Sequence, residues 1–249
     1  MHREYERIIP ESKTAVLLIH GIAGTPNHFR FLLPLIPSSM SVCNMLLEGH
    51  GKGVEDFSSA SMEKWKNQVS EKLGELRKTH QRILIVAHSM GTLFAIKEAV
   101  QDPSKIEALF LLASPLRLFI KPSMPVTSLK VYLGKIKPTD HKALAAREAY
   151  GIRDDKRFWK YLGWIPRYLE LFEEIRNTRR IFAELTVPTF AYQSKKDEMV
   201  SMSSCKVLCK SSCTQLHILK TSGHYYYSEK DMTFLTDEFS KLIGKYNTK

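Results

Sequence analysis

Residues 82–100 read RILIVAHSMGTLFAIKEAV, and the fold turns on what happens at Ser89, near the middle. The segment up to His88 is apolar and strand-like, the segment from Met90 onward is helix-like, and Pro103 stops the helix. A serine at such a junction is a good N-cap, because its oxygen can accept the first free backbone N–H groups of the helix. The same position suits a nucleophile. Ala87 lies two residues before Ser89 and Gly91 two after, and a turn sharp enough to expose the serine oxygen leaves no room for large side chains at those flanks.

Outward from this point the chain alternates. TAVLLIHG (Thr14 to Gly21) reads as a buried strand delivering a loop, and PNHFRFLLPLI after it has a helical spread of apolar residues that Pro34 disturbs. SVCNMLLEGHGKG reads as a strand ending in a glycine-punctuated loop. From Ser61 to His80, Met62, Trp65, Val69, Leu73 and Leu76 recur at three- and four-residue steps behind a serine N-cap, which predicts an amphipathic helix. IEALFLLAS is a further strand. The pattern breaks at Pro115 and resumes near Val187 with VPTFAYQS, a cysteine-bearing helix, TQLHILK and a closing helix over DMTFLTDEFSKLIGKY. Steady alternation predicts an α/β fold with a mainly parallel sheet and helices on both faces. Residues 116–185 are rich in helix formers without a convincing strand, so they are expected to form an inserted helical cap on a core of residues 1–115 and 186–249.

With 249 residues, 43% of them hydrophobic and 25% charged, the chain is long enough for one large domain with an insertion. MHREYERIIPESK is charged and unlike a signal peptide, and no run of about twenty apolar residues occurs, so a soluble cytoplasmic protein is expected. Cys205, Cys209 and Cys213 recur every fourth residue, which places them on one stripe of a helix. They lack a fourth ligand and the loop spacings of a zinc site, so buried free thiols are expected and no metal.

The net charge is +11, and residues 116–180 carry fifteen Lys or Arg against seven Asp or Glu. PLRLFIKPSMPVTSLKVYLGKIKP mixes basic and apolar residues in a way that suits weak association with an anionic lipid surface, although a solvated basic face is the simpler explanation. The charge is not gathered into a short tract and no nucleic-acid-binding motif accompanies it, which argues against a nucleic-acid partner. The sequence leaves the oligomeric state open.

A serine nucleophile needs a histidine base and an acid that orients it, and in an open parallel sheet all three must lie at the carboxyl ends of strands. Asp197, in KKDEMV, follows VPTFAYQS; His224, in TSGHYYY, follows TQLHILK. Each taken singly could be a solvated aspartate or a structural histidine, but Ser89, Asp197 and His224 at three separate strand ends make a constellation. Glu198 is the nearest competitor for the acid, and His20 and His50 are expected to be structural.

AHSMG resembles the nucleophile elbow of the α/β-hydrolase superfamily, usually G-x-S-x-G, with alanine at the first small position. The order serine, acid, histidine is that family's, and Asp197 to Val200 is similar to its D-x-x-V pattern. HGIAGTP resembles its His-Gly oxyanion loop, which implies backbone N–H donors at Ile22 and Met90. The set HGIAGTP, LEGHG, HSMG and DEMV is most similar to bacterial carboxylesterases and monoacylglycerol lipases. That resemblance implies hydrolysis of small-molecule carboxylic esters through an acyl-enzyme, with no metal and no organic cofactor. A thioesterase, acyltransferase, C–C hydrolase or aminopeptidase could use the same triad, and a non-catalytic ligand-binding protein is the alternative outside enzymes.

Overall fold

The computed structural model describes residues 2–119, 121, 130, 134 and 136–247. Its strands are β1 (Tyr5–Arg7), β2 (Thr14–Ile19), β3 (Ser41–Asn44), β4 (Arg82–His88), β5 (Ile106–Leu112), β6 (Thr189–Ser194) and β7 (Thr214–Leu219). They hydrogen-bond in the order β1-β3-β2-β4-β5-β6-β7. Every pairing is parallel except β1 with β3. The mainly parallel α/β sheet expected from the sequence is therefore present, with an antiparallel edge strand the sequence did not announce. That strand is three residues long, polar and largely exposed, so it carries no apolar period to read.

The helices are α1 (Val54–Ser59), α2 (Met62–Thr79), α3 (Met90–Gln101), α4 (His141–Ala149), α5 (Ile165–Ile181), α6 (Cys205–Leu208) and α7 (Glu229–Tyr246). Both faces of the sheet are covered, and alternation along each strand divides the core in two. Leu17, Ile19, Ile85, Ala87, Leu109 and Leu111 pack with Trp65 and Leu73 of α2 and Leu93 of α3. Val16, Leu18, Val86, Phe110 and Leu112 pack on the opposite face with Leu235, Phe239 and Leu242 of α7. Ser61 caps α2 by accepting the Lys64 N–H at 3.1 Å, as its sequence predicts.

Three local expectations change. The segment after β2 forms two short 3-10 turns, Pro26–Phe29 and Leu33–Leu35, each with a proline in its first turn, in place of one helix. The cysteine helix is a single turn: Cys213 lies beyond it, Cys209 is exposed, and Cys205 and Cys213 are half-buried, so the thiols do not share a buried face. Between β5 and β6 the described residues form α4, a 3-10 segment (Phe158–Trp164) and α5. Leu171 and Ile175 of α5 join the same cluster as α2 and α3, so the far half of that helix covers the sheet. Residues 120, 122–129, 131–133 and 135, the greater part of the basic-apolar stretch, lie outside the described residues. No described helix is long and apolar enough to cross a membrane.

Candidate active site

Ser89 sits between the end of β4 and the start of α3 with φ 52° and ψ −124°, a conformation that L-residues avoid. Its side chain makes no capping bond. The helix start is secured from the other side: the Ser89 carbonyl accepts both the Thr92 N–H at 2.9 Å and the Thr92 hydroxyl at 2.7 Å, while the Ser89 N–H donates to Leu112 O at 2.9 Å. The serine oxygen is thus spared from capping and held on a strained turn.

The flanks explain the small residues. A Cβ on Gly91 would stand 2.3 Å from Ile19 O and 2.7 Å from His20 O, so the turn is pressed against the end of β2 and tolerates no side chain there. Ala87 is instead a strand residue in register with Ile19 and Leu111, and its methyl is fully buried in the sheet-face cluster. This is why the first position accepts alanine. A Cβ on Gly21 would approach the Ser89 Cβ to 2.8 Å, so the loop after β2 passes directly over the serine. In that loop the Ile22 N–H, and at the start of α3 the Met90 N–H, donate no hydrogen bond among the described residues. Ala23 follows at φ 52° and the Gly24 N–H returns to Gly21 O at 3.0 Å, which closes the turn.

His224 lies on the loop after β7 and Asp197 on the loop after β6. His224 Nδ1 is 2.9 Å from Asp197 Oδ2, both side chains are buried, and the other oxygen, Oδ1, accepts the N–H groups of Met199 and Val200 at 2.8 Å each. Burial pushes the Asp197 carboxyl up, but the His224 charge and hydrogen bond and the two amides outweigh it and hold the group below the usual carboxylate range. His224 Nε2 is buried and makes no hydrogen bond among the described residues. The structure therefore brings Asp197 and His224 together and leaves the Ser89 to His224 hydrogen bond unmade.

Residues for which the sequence suggested no supporting role hold this arrangement in place. His88 Nε2 donates to the carbonyl oxygen of His224 at 3.0 Å, and its ring packs at 3.8 Å centroid distance on His28 and 4.8 Å on His224. Burial, with the neighbouring histidine charges, keeps His88 well below the ordinary histidine range, and the same causes lower His28 to about 3. Glu198 Oε2 accepts the His224 backbone N–H at 2.9 Å. Asp231, in the first turn of α7, accepts from the Ser222 hydroxyl at 2.7 Å and from the Thr221 N–H at 3.0 Å, which fixes the start of the histidine loop.

His20 does hold its loop. Nδ1 donates to Gly21 O at 2.8 Å and Nε2 accepts the Leu47 N–H at 3.1 Å, so one neutral tautomer fits both partners, and burial lowers its pKa to about 4. His50 is buried against His20, Phe57 and Trp65. No group of metal-ligating side chains gathers among the described residues.

The family model described as serine aminopeptidase, S33, matches residues 10–231. A thermostable monoacylglycerol lipase from Bacillus sp. (strain H-257) is 34% identical over 35% of this chain, a match that covers only 36% of that relative. Monoacylglycerol lipase abhd6-A from Xenopus laevis is 24% identical over 96% of this chain and 79% of its own length. Among solved structures, one reported for LipS and LipT, two metagenome-derived lipolytic enzymes, superposes with a TM-score of 0.75 at 18% identity, covering 98% of both chains. The strained serine after the fourth strand, the buried aspartate–histidine pair after the sixth and seventh, and a family match over nearly the whole length converge: the chain belongs to the serine aminopeptidase S33 family and has the α/β-hydrolase fold.

Proposed function

We propose that the chain hydrolyses carboxylic esters of short- to medium-chain acyl groups, monoacylglycerols among them, through an acyl-enzyme on Ser89. The observation that carries this is the side chain of Ser89, strained at φ 52° and withheld from capping, on the same sheet edge as the buried Asp197–His224 pair. His224 Nε2 has no hydrogen-bond partner among the described residues and is the base that takes the proton from Ser89 Oγ as the Oγ–C bond to the substrate carbonyl forms. The Ile22 and Met90 N–H groups receive the oxyanion. Collapse of the tetrahedral species breaks the bond to the alcohol, which leaves with the proton from Nε2. A water, deprotonated by the same nitrogen, then attacks the acyl carbon and releases the acid and free Ser89. Asp197 holds the imidazole with Nδ1 protonated and stabilises its charged form.

Within the segment 116–185 expected as a cap, the described residues ahead of the half of α5 that covers the sheet would roof this site and receive the acyl chain on their apolar side chains. On the described part, Phe158, Trp159, Leu162, Ile165, Leu169 and Phe172 are exposed apolar side chains, with Phe158 76% exposed, in the segment that carries most of the net positive charge. That pairing supports contact with an anionic lipid surface. Salt-sensitive co-sedimentation with anionic vesicles is expected; sedimentation that is absent, or unchanged by salt, removes this part of the proposal. Four free cysteines fit a reducing compartment, in keeping with a cytoplasmic enzyme. A panel of p-nitrophenyl and glycerol esters of increasing chain length, with amino-acid p-nitroanilides for comparison, tests the substrate class. Turnover of the anilides alone would replace the esterase reading with a peptidase one.

A further inference from the structure

Glu198 stands beside the triad and does more than follow Asp197 in sequence. Its Oε2 accepts the backbone N–H of His224, and its Oε1 contacts Nζ of Lys142 in the first turn of α4. The side chain is only 16% exposed. Gly223 is what admits the carboxylate so close: a Cβ there would stand 2.7 Å from Oε2 and 2.9 Å from Oε1. The neighbouring His141 ring stacks on Tyr226, two residues past His224, so the start of α4 meets the histidine loop at two points. The chain just beyond the other end of α4 meets the opposite half of the site. The Gly151 N–H donates to Ala23 O at 2.8 Å, and a Cβ on Gly151 would lie 2.4 Å from Gly24 O, so this glycine is wedged against the loop that carries Ile22. Helix α4 therefore spans from the histidine loop to the loop over Ser89.

We propose that Glu198 is a positioning residue for His224, and that its ion pair with Lys142 makes the placement of that histidine depend on how α4 is seated. The assignment rests on His224 being the catalytic base described above. A half-exposed ion pair contributes little stability by itself, so the consequence is one of position. Glutamine at 198 keeps an oxygen for the His224 N–H and loses the ion pair; alanine loses both; methionine at 142 loses only the ion pair.

Two measurements on the full chain separate these roles. The first is kcat and KM on a p-nitrophenyl ester. The second is exchange of the His224 amide proton by NMR, which reads the Glu198 bond whether or not the enzyme turns over. For Glu198→Ala, kcat is expected to fall about 10- to 100-fold and the amide to exchange at least about 10-fold faster. Glu198→Gln restores most of both and matches Lys142→Met, each differing from wild type by about 3- to 10-fold, and the double variant Glu198→Gln with Lys142→Met is no worse than either. Wild-type kcat and amide exchange in Glu198→Ala overturn the proposal, as does an equal loss in the alanine and glutamine variants. A Lys142→Met protein identical to wild type in both measurements overturns the dependence on α4. Absence of ester turnover by the wild type counts against the esterase reading alone, and the exchange series then decides the role of Glu198.

Discussion

Asp197 divides its two oxygens between two tasks: Oδ2 takes the Nδ1–H of His224 at 2.9 Å, while Oδ1 is fixed by the amides of Met199 and Val200 at 2.8 Å each. The backbone thereby sets the carboxylate plane, and the carboxylate sets the imidazole tautomer. In Asp197→Asn the two amides still hold Oδ1, which leaves the amide NH2 facing Nδ1 and favours the wrong tautomer. A fall in kcat of about 10³- to 10⁴-fold with little change in melting temperature is expected, by analogy with the same replacement in other triads. A loss below about tenfold, measured on a chromogenic ester, removes Asp197 from the triad.

The backbone of Ser89 predicts an opposition between stability and chemistry. At φ 52° glycine avoids strain that costs alanine and serine on the order of 1–3 kcal/mol. Ser89→Gly should therefore melt higher than Ser89→Ala, with both variants inactive. Equal melting temperatures would show that the turn is not strained.

The two small flanks of Ser89 should respond differently to mutation. Gly91→Ala forces a methyl to within 2.3 Å of Ile19 O and should cost several kcal/mol or prevent folding, since only backbone lies in its way. Ala87→Gly removes a buried methyl from β4 and should cost only about 1 kcal/mol while leaving esterase activity within a few-fold. Urea unfolding of both variants checks the contrast, and similar midpoints contradict it.

Buried histidines make the fold acid-sensitive. His20 is held at about 4 and His28 at about 3 in the native protein, against about 6.5 in an unfolded chain. Their pKa values are lowered on folding, so the stabilisation is complete above pH 6.5. It is lost as the pH falls from 6.5 toward 4 for His20 and toward 3 for His28, because the unfolded chain then binds protons that the native state refuses. The slope is at most about 1.4 kcal/mol per pH unit for each histidine. Urea midpoints should fall steadily from pH 6.5 to 4, and less steeply in His28→Gln. A flat profile over that range contradicts the assignment of neutral buried rings.

Much of this was legible because the central strands β2, β4 and β5 are apolar on both faces, and the strands end at glycine, serine or polar loops. The runs before Ser89, Asp197 and His224 placed all three at one sheet edge without any knowledge of the tertiary contacts. What escaped the sequence depends on contacts between distant segments. His88 next to Ser89 invites attention only once its ring nitrogen is seen on the carbonyl of His224, 136 residues away. Glu198 entered as a rival for the acid, yet its carboxylate serves the His224 amide and Lys142 while its neighbour serves the ring. The cysteine stripe misled because a four-residue interval resembles a helix even where the helix ends after one turn and the chain bends toward β7.

Covalent labelling by a fluorophosphonate probe, read by intact-protein mass and by peptide mapping, tests the central claim most directly. One adduct per chain on Ser89 is predicted for the wild type, with no adduct on Ser89→Ala and slow labelling of Asp197→Asn. A wild-type protein that resists the probe, or a Ser89→Ala protein that still takes it up, would contradict the assignment of Ser89 as the nucleophile.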